Sequence, residues 1–133
     1  MVVDGQGGGL GKAVIEKINK AGLSVRVIAI GTNSAATMAM LRAGADDAAT
    51  GENAIIVNAR DADCIIGANG IVAANSMFGE ITCAAACAVA SSGGLKLLIP
   101  VNKCNLFLVG VKENGLGEKI DEAIEKMKLE LSL

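Results

Sequence analysis

The sequence predicts a three-layer α/β domain, a mostly parallel sheet with helices on both faces. Three observations carry this reading. Short apolar runs alternate with helical patterns in the order strand, helix, strand, helix, strand, helix, strand. Hydrophobic residues make up 52% of the chain, yet Phe78 and Phe107 are its only aromatics, so the core must be built from Ala, Val, Ile and Leu. Seventeen glycines suit close helix–sheet packing. At 133 residues the chain is long enough for one domain and too short for two, so residues 1–133 are expected to form a single unit.

Met1 to Val3 reads as the first strand, ending in Asp4 and a glycine cluster. Val14, Ile15, Ile18 and Ala21 then recur at helical spacing with Glu16, Lys17 and Lys20 opposite, and Gly22 suits a left-handed helix terminus. Val25 to Ile30, rich in β-branched residues, is the second strand. Asn33 or Ser34 would cap a helix through Ala43, ended by Gly44. Asp46 to Thr50 reads as a polar connection. Gly51 to Arg60 could be strand or helix, and a helix capped near Thr50 is favoured. Cys64 to Gly67 is the third strand. Ile71 to Phe78 suggests a short helix, and Glu80 to Ala90 a longer one ended by Gly93 and Gly94. Leu95 to Ile99 is the fourth strand and Phe107 to Val111 the fifth. The connection between these last two is too short for a parallel crossover, so the fifth is expected to lie antiparallel at an edge. In this count the expected strand order is 2-1-3-4-5. The chain closes on an amphipathic helix with Leu116, Ile120, Ile124, Met127 and Leu131 on one face.

The strongest chemical signal is Asp4-Gly5-Gln6-Gly7-Gly8-Gly9-Leu10-Gly11-Lys12, between a strand and a helix. Glycines bare backbone N–H groups, and a helix start adds partial positive charge, so such a segment can grip an anion. The spacing fails G-x-G-x-x-G and also fails the G-x-x-x-x-G-K-[ST] phosphate loop. Gly5, Gly9 and Gly11 do match G-x-x-x-G-x-G, and Asp63 to Gly70 is similar to a strand ending in N-N-A-G. Both resemble the Rossmann-like domain of short-chain dehydrogenases. That resemblance implies NAD(P) as ligand, with Gly5, Gly9 and Gly11 on the pyrophosphate and Asn69 near a ribose. It covers only the cofactor half of such enzymes. Their catalytic Tyr-x-x-x-Lys is missing, since this chain has no tyrosine, and Thr32, Asn33 and Ser34 stand where an acidic ribose ligand is expected, with Arg42 nearby.

Nearly the whole chain also resembles a small bacterial family, a domain of unknown function. The resemblance rests on the opening through Lys12, on Gly31 to Ser34, Ala49 to Ala54 and Ala74 to Thr82, and on Ile99 to Asn105. It implies no particular activity. Ligands of open parallel sheets bind outside the carboxyl ends of the strands. Here those ends would present Gly5 to Lys12, then Thr32 to Ser34, then Asn69 and Gly70, then Asn102 and Lys103.

The near-balance of 12 basic and 14 acidic residues gives a net charge of −2, which argues against nucleic-acid binding. The longest charge-free run, Cys64 to Gly79, is too short and too polar for a membrane span. Asp4 comes too early for a signal peptide, so a cytoplasmic location and reduced thiols are expected. No histidine is present to act as base or metal ligand. Cys83 and Cys87, four apart on a helix, read as small buried thiols and not as a metal pair, so no metal is expected. Asp61 and Asp63 read as loop and strand-start residues. The favoured function is a nucleotide- or phosphate-binding sensor or regulatory module. One alternative is a small enzyme acting on a phosphorylated metabolite through Lys103 and Glu80. Another is an interaction subunit with no ligand. The uncharged, small-residue helix Thr82 to Ala90 suggests a homo-oligomer formed through that face.

Overall fold

The computed structural model describes residues 1–102 and 106–133. Its elements are β1 (Val2–Asp4), α1 (Gly9–Lys20), β2 (Ile28–Gly31), α2 (Ser34–Arg42), β3 (Asp47–Thr50), α3 (Glu52–Ala59), β4 (Cys64–Ala68), α4 (Cys83–Ser91), β5 (Leu95–Ile99) and α5 (Leu116–Leu131). Two single turns of 3-10 helix, Asn69–Val72 and Met77–Gly79, follow β4. The strands form one sheet in the order β3-β2-β1-β4-β5, and every pair is parallel.

Alternation along the strands splits the core in two. Val2, Ala29, Cys64 and Ile66 face α1, α5 and Met40 of α2. Val3, Ile30 and Ile65 face α3 and α4. Side chains such as Ile15, Ile30 and Ile65 are fully buried, each stabilising by roughly 1.5–3 kcal/mol relative to exposure. Local signals behave as their chemistry requires. The Asn33 side chain accepts from the Ala36 amide at 2.9 Å and caps α2, and Gly22 sits at φ +64 just after α1.

Two sheet expectations are corrected. Asp47–Thr50 is not a connection but an edge strand, pairing Ala48 with Ala29 and Ala49 with Ile30. Its alanines are unremarkable as strand formers, and only the neighbouring β2 selects the extended form. Conversely, residues 107–111 form no antiparallel strand. Pro100 ends β5, and a turn at Val109 and Gly110, with Gly110 at φ +85, breaks the apolar run. The order therefore differs from 2-1-3-4-5: among the described residues no strand lies beyond β5, and the fifth position is taken by β3 at the other edge, beside β2.

Smaller differences follow the same logic. The ambiguous segment is helical as favoured, with its cap position at Gly51, next to Thr50. The expected short helix over 71–78 is instead the two 3-10 turns. Cys83 and Cys87 are exposed, because α4 turns Ala85, Ala86 and Val89 into the core and their i,i+4 pair falls on the other side. No helix among the described residues is long and apolar enough to cross a membrane.

Candidate functional site

The carboxyl ends of β1, β4 and β5 open into a cavity of about 590 Å³, bounded also by the glycine segment and the start of α5. That volume lies within the range of small-molecule sites. The cavity lies where a parallel sheet positions ligands, between the strands that part around β1.

Asp4 forms the floor. Its Oδ1 accepts from the Gly5 amide at 2.8 Å and its Oδ2 from the Gly11 amide at 2.7 Å, so one buried carboxylate occupies donors at the start of α1. Burial pushes its carboxyl above the ordinary range, against the bonds from Gly11, Gly5 and Leu10. Other loop amides are also committed: Gln6 to Glu80, Gly8 to the Gly5 carbonyl and Lys12 to the Gly8 carbonyl. Among the described residues, the amides of Gly7 and Gly9 have no partner.

The glycines divide in the same way. A Cβ on Gly5 would lie 2.6 Å from Glu80 Oε2 and 2.7 Å from Thr32 Oγ1. One on Gly11 would strike Met40, and Gly8, at φ +72, presses on the Ala36 backbone of α2. These three are demanded by packing. A Cβ on Gly7 or Gly9 would meet open space, with nothing among the described residues within 4 Å. They form an open cradle of backbone on the cavity wall.

Beyond the end of β2 the surface is closed by a hydrogen-bonded cluster. Glu80 Oε2 accepts from the Gln6 amide at 2.8 Å, from Asn33 Nδ2 at 3.1 Å and from the Thr32 hydroxyl at short range. The Thr32 hydroxyl, then the Gln6 amide, hold the Glu80 carboxyl below its ordinary range; partial burial opposes them and Asn33 adds to them. In the segment just before Glu80, Asn75, Met77 and Phe78 have positive φ, and Phe78 stands 96% exposed.

The ends of β4 and β5 are different. Asn69 is only 4% exposed and lines the cavity. Its Oδ1 accepts from the Val101 amide at 2.9 Å, while its Nδ2 is buried with no partner among the described residues. Lys119, half-buried in the first turns of α5, places its Nζ 3.4 Å from the Pro100 carbonyl and makes no ion pair among the described residues. Asn69 and Lys119 thus hold the two ends of a single peptide group, Pro100–Val101, on the cavity wall.

Residues 1–132 match the family described as a domain of unknown function (DUF3842). The chain belongs to this family. No curated protein and no solved structure matches. The described residues of the segments by which the sequence resembles such a family lie at the carboxyl edge of the sheet. They follow β1 and β2, span the β3–α3 junction, form the approach to α4 and leave β5.

Of the residues singled out in the sequence, Gly5, Gln6, Gly7, Gly8, Gly9, Leu10, Asn69, Gly70 and Asn102 line the cavity. Gly11 lies beneath it, and Lys12 points away to pair with Glu16 at 3.8 Å. Thr32 and Asn33 are tied to Glu80, and neither they nor Ser34 line the cavity. Glu80 braces the loop from outside the cavity. Lys103 lies outside the described residues. Sequence reasoning missed Asp4 as the floor, Lys119, and the apolar wall of Met77, Val101, Leu106 and Leu116. The signal for Lys119 was available: it is the lysine that follows the Leu116 start of the amphipathic helix, one position before the buried Ile120.

Proposed function

We propose that this protein is a binding module for a small phosphate-bearing ligand, seated at the carboxyl ends of β1, β4 and β5. The observation that carries the reading is an excess of unspent donors around one cavity. The Gly7 and Gly9 amides, Asn69 Nδ2 and Lys119 Nζ have no acidic partner, while both oxygens of Asp4 are already engaged. A tetrahedral oxyanion supplies acceptors to such a set. A nucleotide such as NAD(P) fits less well, because the end of β2, where its ribose would lie, is filled by Glu80 with Thr32 and Asn33. A sensor or regulatory role is favoured over an enzymatic one. Glu80 is held ionised by three donors and does not line the cavity, which leaves it poorly placed as a base. The uncharged outer face of α4, with Cys83, Ala84 and Cys87 exposed, supports association with a second copy; a strictly monomeric mass in light scattering would remove that part.

The test is a thermal-shift panel of inorganic phosphate, sugar phosphates, mononucleotides, NAD+ and NADP+. Binding to the native state raises its stability, so at least one phosphate compound is expected to raise Tm. Gly9→Ala should leave the free protein as stable or slightly more so, since its Cβ enters open space. The same Cβ should abolish the shift by crowding the cradle. No response to any phosphate compound would overturn the reading.

A further inference from the structure

Resting on that reading, we infer that the ligand carries a second oxyanion, and that its class is a phosphorylated carboxylic acid and not a nucleotide. The cavity offers donors at two places. One is the Gly7–Gly9 cradle over the start of α1. The other is at the ends of β4 and β5, where Asn69, through its Oδ1, and Lys119, through its Nζ, hold the Pro100–Val101 peptide and Asn69 Nδ2 is left over.

A phosphate in the cradle satisfies the first set and leaves the second unused. The second set calls for an acceptor group of its own. A buried amide N–H₂ without a partner costs free energy until an acceptor arrives. Lys119 has only a long bond to a carbonyl to give up, and a half-buried ammonium without a counter-ion attracts negative charge. A carboxylate satisfies both, accepting from the neutral amide and pairing with the ammonium.

A nucleoside presents a different pattern. Its ribose hydroxyls are donors that need acceptors, and among the described residues the one carboxylate lining the cavity, Asp4, is buried and already accepts from two backbone amides. Gly70 O is likewise taken, by the Ser76 hydroxyl at 2.5 Å. Both described aromatic side chains, Phe78 and Phe107, stand outside the cavity, so no ring is placed to stack on a base.

The experiment is calorimetric titration of the intact protein with 3-phosphoglycerate, glycerol 3-phosphate, inorganic phosphate and AMP. The first two differ chiefly in the carboxylate. We expect 3-phosphoglycerate to bind at least tenfold tighter than glycerol 3-phosphate. Lys119→Met should erase most of that gain and leave glycerol 3-phosphate within twofold. Asn69→Asp keeps an acceptor for the Val101 amide but replaces the free donor with a negative group, and should also cost the carboxylate ligand at least tenfold. Equal binding of 3-phosphoglycerate and glycerol 3-phosphate, or AMP binding tighter than both, overturns this inference alone. Failure of all four to bind overturns it together with the phosphate reading.

Discussion

The two halves of the sheet's carboxyl edge use similar residues to opposite ends. Around β2, Thr32, Asn33 and Gln6 spend their donors on Glu80, and the surface is closed. Around β4 and β5, an asparagine and a lysine leave donors unspent beside an open cavity. The difference teaches that polarity at a strand end does not mark a binding site. A site is marked by polarity the chain has not itself satisfied, because only an unsatisfied group gains free energy when a ligand arrives.

The largest expected effect tests the packed part of the glycine segment. Gly8→Ala forces a side chain into a left-handed backbone and against the α2 backbone, with Ala36 Cα 2.7 Å from the new Cβ. Unfolding in urea should show a loss of about 3 kcal/mol, since neither backbone can yield cheaply. A loss no greater than that of a typical surface substitution would mean that the two segments are not in contact.

Next, Thr32→Val removes one donor to Glu80 and should cost about 1 kcal/mol in the same assay. It should leave phosphate-ligand affinity unchanged. A large loss of affinity would place the β2 end inside the site and erase the contrast.

Smaller and opposite in sign are two pH effects. The depressed Glu80 carboxyl contributes stability that is present above its unfolded pKa and lost as pH falls through the folded value. The stability gap between the wild type and Glu80→Gln should therefore close on acidification below about pH 4. The raised Asp4 carboxyl behaves inversely. Its contribution is fully present below the unfolded pKa and lost as pH rises through the folded one, so the wild type should lose ground to Asp4→Asn as pH rises. Parallel profiles for the two variants would contradict the environments described.

The smallest effect concerns Phe78, at φ +57 and almost wholly exposed. Phe78→Gly relieves a left-handed conformation at the cost of chain entropy and should stabilise by about 0.5 kcal/mol in thermal unfolding. Destabilisation would mean that the ring packs against something in solution.

The local chemistry of the chain was enough to set the α/β class, the four strands β1, β2, β4 and β5, and the helix ends at Asn33 and Gly22. Each rests on neighbours within a few residues: β-branched runs, helical periodicity, a side chain reaching its own helix start. What tertiary structure alone decided depends on partners distant in sequence. Asp47–Thr50 becomes a strand because β2 lies beside it, whereas residues 107–111, better strand formers, find no ladder. Glu80 closes the β2 end through contacts spanning more than forty residues, and Lys119 reaches the cavity only because α5 packs beside β5. Which polar groups are spent and which remain free is a property of those long-range pairings, and no local pattern encodes it.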